Sequence, residues 1–193
     1  MLTLASASVT RAKMLREVGI EVRAIPSGVD EDIIKEEFRR AARSAEDLAE
    51  ALAEAKARAI DQPGYILGAD QILSFGDETF DKAQSLREAR DQLMRLRGKE
   101  HTLLSAAVIV ENGAVLWRRI GRARLRMRDF SDEFLDDYLQ KEGESVLETV
   151  GGYRIEARGA QLFEEISGDY FSILGLPLLE VLTFLRSRKV LTE

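Results

Sequence analysis

Asp70 is the residue whose setting points most directly to chemistry. It follows the mostly apolar stretch 65–69 and precedes Ile72, Leu73 and Phe75. A carboxylate so placed is costly to bury unless it is paired or metal-bound. Two readings are open: a ligand for a hard cation that also orients a water, or an aspartate capping the turn at a strand end. Ser6 and Ser8 lie between the apolar stretch 2–5 and a helical pattern, with Arg11 one turn in. Hydroxyls and unpaired N–H groups converge at such a junction, which suits a phosphate. A guanidinium can add a bidentate grip. The plainer reading has Ser8 capping the helix and Arg11 facing solvent. Lys82 supplies a second cation, just after the 72–75 run and a turn.

Other polar residues divide between chemistry and surface. Glu31 belongs to the cluster Asp30, Glu31, Asp32, a pattern that equally suits a solvated helix start. Lys56 falls inside a helical stretch and reads as well as a surface residue. His101 is the one histidine, and a lone histidine reads as structural. Arg122, Arg124, Arg126 and Arg128 alternate, so a strand would present them on one face. That stripe is the feature that favours nucleic acid. It is not interleaved with aromatics, and the chain carries a formal net charge of -6, so a solvated face or an oligomer contact is the plainer reading.

Composition narrows the chemistry. There are no cysteines, which excludes disulfides, thiolate catalysis and cysteine-ligated metal. With one histidine as well, any metal is expected to be hard and oxygen-ligated, Mg²⁺ or Mn²⁺. No run approaches the roughly 20 apolar residues of a membrane span. The start of the chain lacks the basic opening of a signal sequence. The expectation is a cytoplasmic protein with no membrane association.

These residues need elements to position them. The pattern predicts a strand over 2–5, a helix over 10–18 closed by Gly19, and a second strand over 20–25. A strand–helix–strand opening suggests an α/β layer fold with a site at the strand's carboxyl end. Ser44 with Asp47 opens a long helix, and Ser85 with Glu88 opens another that stops at Gly98. The strand over 65–69 is expected to end at Asp70. Strands over 103–110 and 114–127 are joined at Asn112-Gly113, a tight-hairpin signal. Ser131 caps a helix to about Gln140. A strand is expected to carry Tyr153 and Ile155, a short amphipathic segment covers 160–166, and Pro177 lies near the first turn of a last helix. No repeat or linker marks a clean two-domain cut.

The order of short motifs resembles one family. Leu4-Ala5-Ser6-Ala7-Ser8-Val9-Thr10-Arg11 with Met14-Leu15 and Gly19 is similar to the opening of the Maf (septum-formation-inhibitor-like) nucleotide pyrophosphatases. Val29-Asp30-Glu31, Ala55-Lys56-Ala57, Gly68-Ala69-Asp70-Gln71, Lys82 and Gly98-Lys99-Glu100-His101 follow in order. Gly151-Gly152-Tyr153-Arg154-Ile155-Glu156, Gly168-Asp169-Tyr170 and Gly175-Leu176-Pro177-Leu178 complete the series. The resemblance covers nearly the whole chain.

It implies an α/β fold like that of the inosine-triphosphate pyrophosphatases. That fold is a mixed twisted sheet with helices on both sides, a single domain over 1–193 with two lobes around a cleft, and usually a homodimer. It implies hydrolysis of a nucleoside triphosphate at the α–β phosphate bond with Mg²⁺ or Mn²⁺. Carried over by position, Ser6, Ser8 and Arg11 would bind the triphosphate, with Lys56 and Lys82 assisting. Glu31 and Asp70 would hold the metal, Asp70 would activate the water, and Gln71 and Glu156 would take part in substrate selection.

The departures bear on the substrate. Val9-Thr10 stands where the family usually has Pro-Arg, Thr149 replaces a common lysine, and Ser105 a threonine. Gln71 and Glu156 resemble the 7-methyl-GTP branch rather than the dTTP and UTP branch. A carboxylate can accept from a guanine N1–H and N2–H₂, a pattern pyrimidines do not offer. The alternative is a nucleotide- or nucleic-acid-binding regulatory protein with weak or no turnover, for which the Val9-Thr10 corner and the arginine stripe speak. Retention of both Glu31 and Asp70 speaks against it, because binding alone needs no water-activating carboxylate.

Overall fold

A computed structural model describes residues 2–191. Met1, Thr192 and Glu193 of the domain expected over 1–193 lie outside the described residues. The fold is mixed α/β, as the sequence predicted, and the strands follow the order β2-β1-β3-β5-β6-β7, with β4 on β3. The elements are β1 (Leu2–Ala5), α1 (Val9–Glu17), β2 (Val22–Ala24), α2 (Glu31–Arg40), α3 (Ala45–Arg58), β3 (Tyr65–Phe75) and β4 (Glu78–Phe80). They continue with α4 (Leu86–Leu96), β5 (Glu100–Glu111), β6 (Ala114–Met127), α5 (Asp132–Glu142), β7 (Phe163–Gly168), α6 (Tyr170–Ile173) and α7 (Leu178–Ser187). The chain divides into two compact units. The first takes residues up to Gln71, then Leu104–Gly121, and the chain from Asp169 onward; the second takes Ile72–Leu103 and Arg122–Gly168.

In the first unit, β1 pairs in parallel with both β2 and β3. Leu2, Leu4, Leu15, Leu67, Ile109, Val181 and Leu185 form its buried core. The local signals act as expected. The Ser8 and Ser44 hydroxyls cap α1 and α3 by accepting from the N–H groups of Arg11 and Asp47. Gly19 closes the first helix at φ 82°. Asn112 and Gly113 both have positive φ, which lets the two-residue hairpin follow the strands' twist.

Two expected boundaries are wrong. Strand β3 does not stop at Asp70 but runs on to Phe75, so Asp70 sits mid-strand and is no turn cap. The continuation is held by antiparallel pairing of Leu73 with Phe80 and Phe75 with Glu78. The stretch around Tyr153 and Ile155 is not a strand. Gly151 and Gly152, at φ 82° and 72°, turn the backbone, and the Ala157 N–H bonds back to the Arg154 carbonyl at 3.2 Å. Extended pairing resumes only at β7, which runs antiparallel to β6 after a 3₁₀ segment, Arg158–Leu162. Pro177 is the N-cap of α7, beside its first turn as expected.

In the second unit, Ala123, Leu125 and Met127 of β6 are buried while Arg122 and Arg124 are exposed, the alternation the sequence predicted. The arginine face is of mixed sign. Arg126 pairs with Glu100 at 3.1 Å and Glu164 at 3.7 Å, and its register partner is Glu165. Arg128 lies over the Phe134 ring at 5.0 Å. Carboxylates interleaved in this way weaken the field that a phosphate backbone would need.

Candidate active site

The close approach of β3 to α3 builds the centre of the site. A β-carbon on Gly68 would lie 2.0 Å from the Ala53 carbonyl oxygen and 2.9 Å from the Ala57 β-carbon. Glycine here, with alanines opposite, lets helix and strand pack backbone to backbone. The same packing brings Lys56 of α3 against Asp70 of β3. Lys56 and Asp70 are buried, at 8% and 6% exposure. The Lys56 ammonium donates to Asp70 Oδ1 at 2.5 Å and lies 2.7 Å from Glu31 Oε1 at the start of α2. Lys56 thus bridges the two carboxylates instead of lying on the surface. Burial raises the Asp70 pKa, and the charges of Lys56 and Arg11 act against that rise.

Arg11 is fixed from three directions. Its Nε donates to the Gly175 carbonyl at 2.7 Å, and its Nη1 to the Ala69 carbonyl at 3.1 Å and Ser6 Oγ at 3.3 Å. These bonds use the Nε and Nη1 hydrogens. Burial lowers the Arg11 pKa, and the charges of Asp70 and Glu31 hold it up. Gly175, at φ 101°, is required twice over. Its backbone is left-handed, and a β-carbon there would stand 3.2 Å from Arg11 Nε. Ser6 is buried and its hydroxyl also accepts from the Ser8 N–H at 3.1 Å. Ser8 caps α1, as the plainer reading had it, and the cap leaves the first N–H groups of that helix without intrahelical acceptors.

The Gln71 amide nitrogen is engaged within the protein. It lies 2.9 Å from Ser105 Oγ, 3.1 Å from the Ser172 carbonyl and 3.0 Å from the Ile173 carbonyl. Ser105 Oγ donates to the same Ser172 carbonyl at 2.6 Å. Gln71 and Ser105 therefore hold the α6 turn, the turn that presents Gly175 to Arg11. Ser105, Ser172 and the carbonyls of Ala69 and Gly175 hold Gln71 and Arg11 in place, contacts that side-chain chemistry did not reveal. The signal available for them was the Gly175-Leu176-Pro177 motif.

Lys82 and Glu156 belong to the second unit. Lys82 is exposed and forms an isolated antiparallel bridge with Val150. Glu156 Oε1 accepts from Arg154 Nε at 3.3 Å. His101 is structural, as its isolation predicted. It is 2% exposed, lies 2.7 Å through Nε2 from the Tyr153 hydroxyl, and its pKa is lowered by burial to about 4.

Among the described residues no group of three or more histidine, cysteine or acidic side chains is arranged to hold a metal. Glu31 and Asp70 nevertheless converge on a single cationic atom, the Lys56 ammonium. Two hard carboxylates suit Mg²⁺ or Mn²⁺ when substrate phosphates complete the shell. Among the described residues no helix is long and apolar enough to cross a membrane.

Comparison with known proteins agrees across the whole chain. The family described as "Maf-like protein" matches residues 1–188. A nucleoside triphosphate pyrophosphatase of Hyphomonas neptunium is 45% identical over 191 residues, 98% of this chain and 96% of its own. A 7-methyl-GTP pyrophosphatase of Mesorhizobium japonicum is 46% identical over 187 residues, covering 95% and 94% of the two chains. One of Brucella abortus biovar 1 is 42% identical over 191 residues, covering 97% and 96%.

Proposed function

The chain belongs to the Maf-like family, and from that premise we propose that it is a nucleoside triphosphate pyrophosphatase. It cleaves the bond between the α- and β-phosphates and releases a nucleoside monophosphate and pyrophosphate. The observation that carries this reading is the buried Asp70 carboxylate, held between Lys56 and the charge of Arg11 beside the cap of α1.

The chemistry follows from that arrangement. Arg11, the Ser6 and Ser8 hydroxyls and the N-terminus of α1 bind phosphate oxygens. Lys56 neutralises further charge on the triphosphate, and the motif resemblance assigns Lys82 a similar role. Asp70 takes the proton of a water that attacks the α-phosphorus in line with the departing pyrophosphate. Charge grows on that leaving group, so cations fixed beside it act more strongly in the transition state than before it. Glu31 and Asp70 would hold Mg²⁺ or Mn²⁺, which supplies charge neutralisation and polarisation of the phosphoryl oxygens.

For the base, the reading favours 7-methyl-GTP. Glu156 offers a carboxylate to the N1–H and N2–H₂ edge of guanine. Methylation at N7 gives that base a positive charge, which a carboxylate further favours. Two of the relatives above bear the 7-methyl-GTP name, which supports this choice over dTTP or UTP. The test is one screen of canonical and methylated nucleoside triphosphates with Mg²⁺ and Mn²⁺, products separated by chromatography. Monophosphate plus pyrophosphate is expected, fastest from 7-methyl-GTP. Diphosphate plus orthophosphate, or no metal-dependent release, overturns the reading.

A further inference from the structure

Residues 149–157 of the second unit contain no helix or strand beyond the single bridge at Val150, yet the segment is tied down along its length. Thr149 Oγ1 donates to the Tyr153 carbonyl at 2.9 Å. The Tyr138 hydroxyl, from α5, donates to the Gly152 carbonyl at 3.0 Å. The Tyr153 side chain turns inward, 4% exposed, and its hydroxyl meets His101 Nε2 of β5 at 2.7 Å. The Tyr153 and Phe163 rings meet edge to face at 4.8 Å.

Two glycines make this path available. A β-carbon on Gly151 would lie 2.7 Å from Tyr153 Cε1, and one on Gly159 would lie 2.4 Å from the Arg154 carbonyl oxygen. The loop carrying Arg154 and Glu156 is therefore closed tightly on itself and anchored from beneath by two buried polar contacts, Tyr138 to the Gly152 carbonyl and Tyr153 to His101. A hydrogen bond formed out of water between two side chains at 2% and 4% exposure fixes the chain more firmly than a surface contact could. A site residue on a loop is only as well placed as the groups that hold the loop.

We propose that His101 and Tyr153 are positioning residues for base selection: their buried hydrogen bond fixes the loop that presents the Glu156 carboxylate. The inference rests on the assignment of Glu156 to the base, and it removes His101 from any direct part in the reaction. It also gives the Gly151-Gly152-Tyr153 and His101 motifs a common purpose that neither has alone.

The test compares Tyr153→Phe, His101→Leu and His101→Gln, each alone and in a Glu156→Ala background. The readout is the ratio of kcat/KM for 7-methyl-GTP to that for dTTP. Loss of one buried hydrogen bond in Tyr153→Phe or His101→Leu is expected to lower the ratio about tenfold. His101→Gln, whose amide can still meet the Tyr153 hydroxyl, is expected to recover most of it. In the Glu156→Ala background the same substitutions are expected to change the ratio no further, since they act through Glu156. Amide exchange over 149–157, read by mass spectrometry on Tyr153→Phe, is expected to accelerate at least tenfold. That measurement needs no turnover, so it separates failure of the clamp from failure of the assigned reaction. A ratio within twofold of the parent protein in Tyr153→Phe, an equal loss with and without Glu156, or unchanged exchange over 149–157 would each overturn the proposal.

Discussion

Gly68 of β3 lies so close to Ala53 of α3 that a β-carbon would stand 2.0 Å from the alanine's carbonyl oxygen. Two residues further along β3 is Asp70, and three further along α3 is Lys56, the partners of the buried ion pair. This close helix–strand contact and the buried ion pair of the first unit are thus one feature. Gly68→Ala is expected to force helix and strand apart, at about 1–3 kcal/mol for an overpacked core, and to reduce turnover by lengthening the Lys56–Asp70 contact. Urea denaturation and initial rates measured on the same preparation check both. Full activity with a lowered melting temperature would show that the centre does not depend on this contact.

Asp70→Asn is nearly isosteric, so the fold is expected to survive. Turnover is expected to fall by roughly 10²–10⁴, the usual contribution of a positioned base. Single-turnover rates with saturating nucleotide give the answer, and a rate near that of the parent protein would remove Asp70 from the base role.

Lys56→Met tests the bridge. Without the ammonium, Asp70 is left buried and facing Glu31 with no charge between them. Breaking a buried pair costs about 3–5 kcal/mol, and the lower end applies because the Glu31 side chain is 36% exposed and partly screened by water. Added Mn²⁺ is expected to restore part of that loss by taking the place of the ammonium. Denaturation midpoints with and without Mn²⁺ provide the comparison, and an equal effect of Mn²⁺ on parent and variant would count against a shared cation position.

Arg11→Lys keeps the charge and loses the fork. A lysine cannot donate at once to the Gly175 carbonyl, the Ala69 carbonyl and Ser6 as the guanidinium does. We expect kcat/KM to fall at least about tenfold, the worth of one or two charge-assisted bonds. Steady-state kinetics on the variant decide this, and a loss under twofold would mean that only the charge matters.

His101 gives a pH dependence of defined sign. Its pKa is about 4 in the folded protein against 6.5 ordinarily, because burial disfavours the charged ring. Between those values the unfolded chain takes up a proton that the folded protein refuses. Stability from this source is therefore full above pH 6.5 and is lost as the pH falls toward 4, by about 3 kcal/mol in total. His101→Gln does not titrate, so its unfolding free energy is expected to fall less than the parent's between pH 7 and pH 4. Parallel slopes in urea titrations across that range would refute the assignment.

Much of this protein was legible in the linear sequence because the signals involved are local. Ser8, Ser44, Ser85 and Ser131 cap helices through their own neighbours three residues on, and Asn112-Gly113 makes a hairpin by its backbone preferences. The absence of cysteine and the single histidine limited metal chemistry to oxygen ligands before any fold was known. The order of short motifs led to the expectation that Ser8, Arg11, Glu31 and Asp70 share one site, and the fold brings Arg11, Glu31 and Asp70 close enough to interact.

What the tertiary structure decided depends on residues distant in sequence. Asp70 looked like the end of a strand because a carboxylate ordinarily interrupts one. The strand passes through it because Lys56, 14 residues away, supplies the opposite charge. Nothing in the linear order shows that the Gln71 amide nitrogen meets Ser105 and the 172–173 carbonyls, 34 to 102 residues away. Tyr153 looked like part of a strand and is instead an anchor, because its hydroxyl finds His101 across 52 residues. In each case the burial of a polar group has to be offset by a partner, and only the packed chain fixes which partner that is.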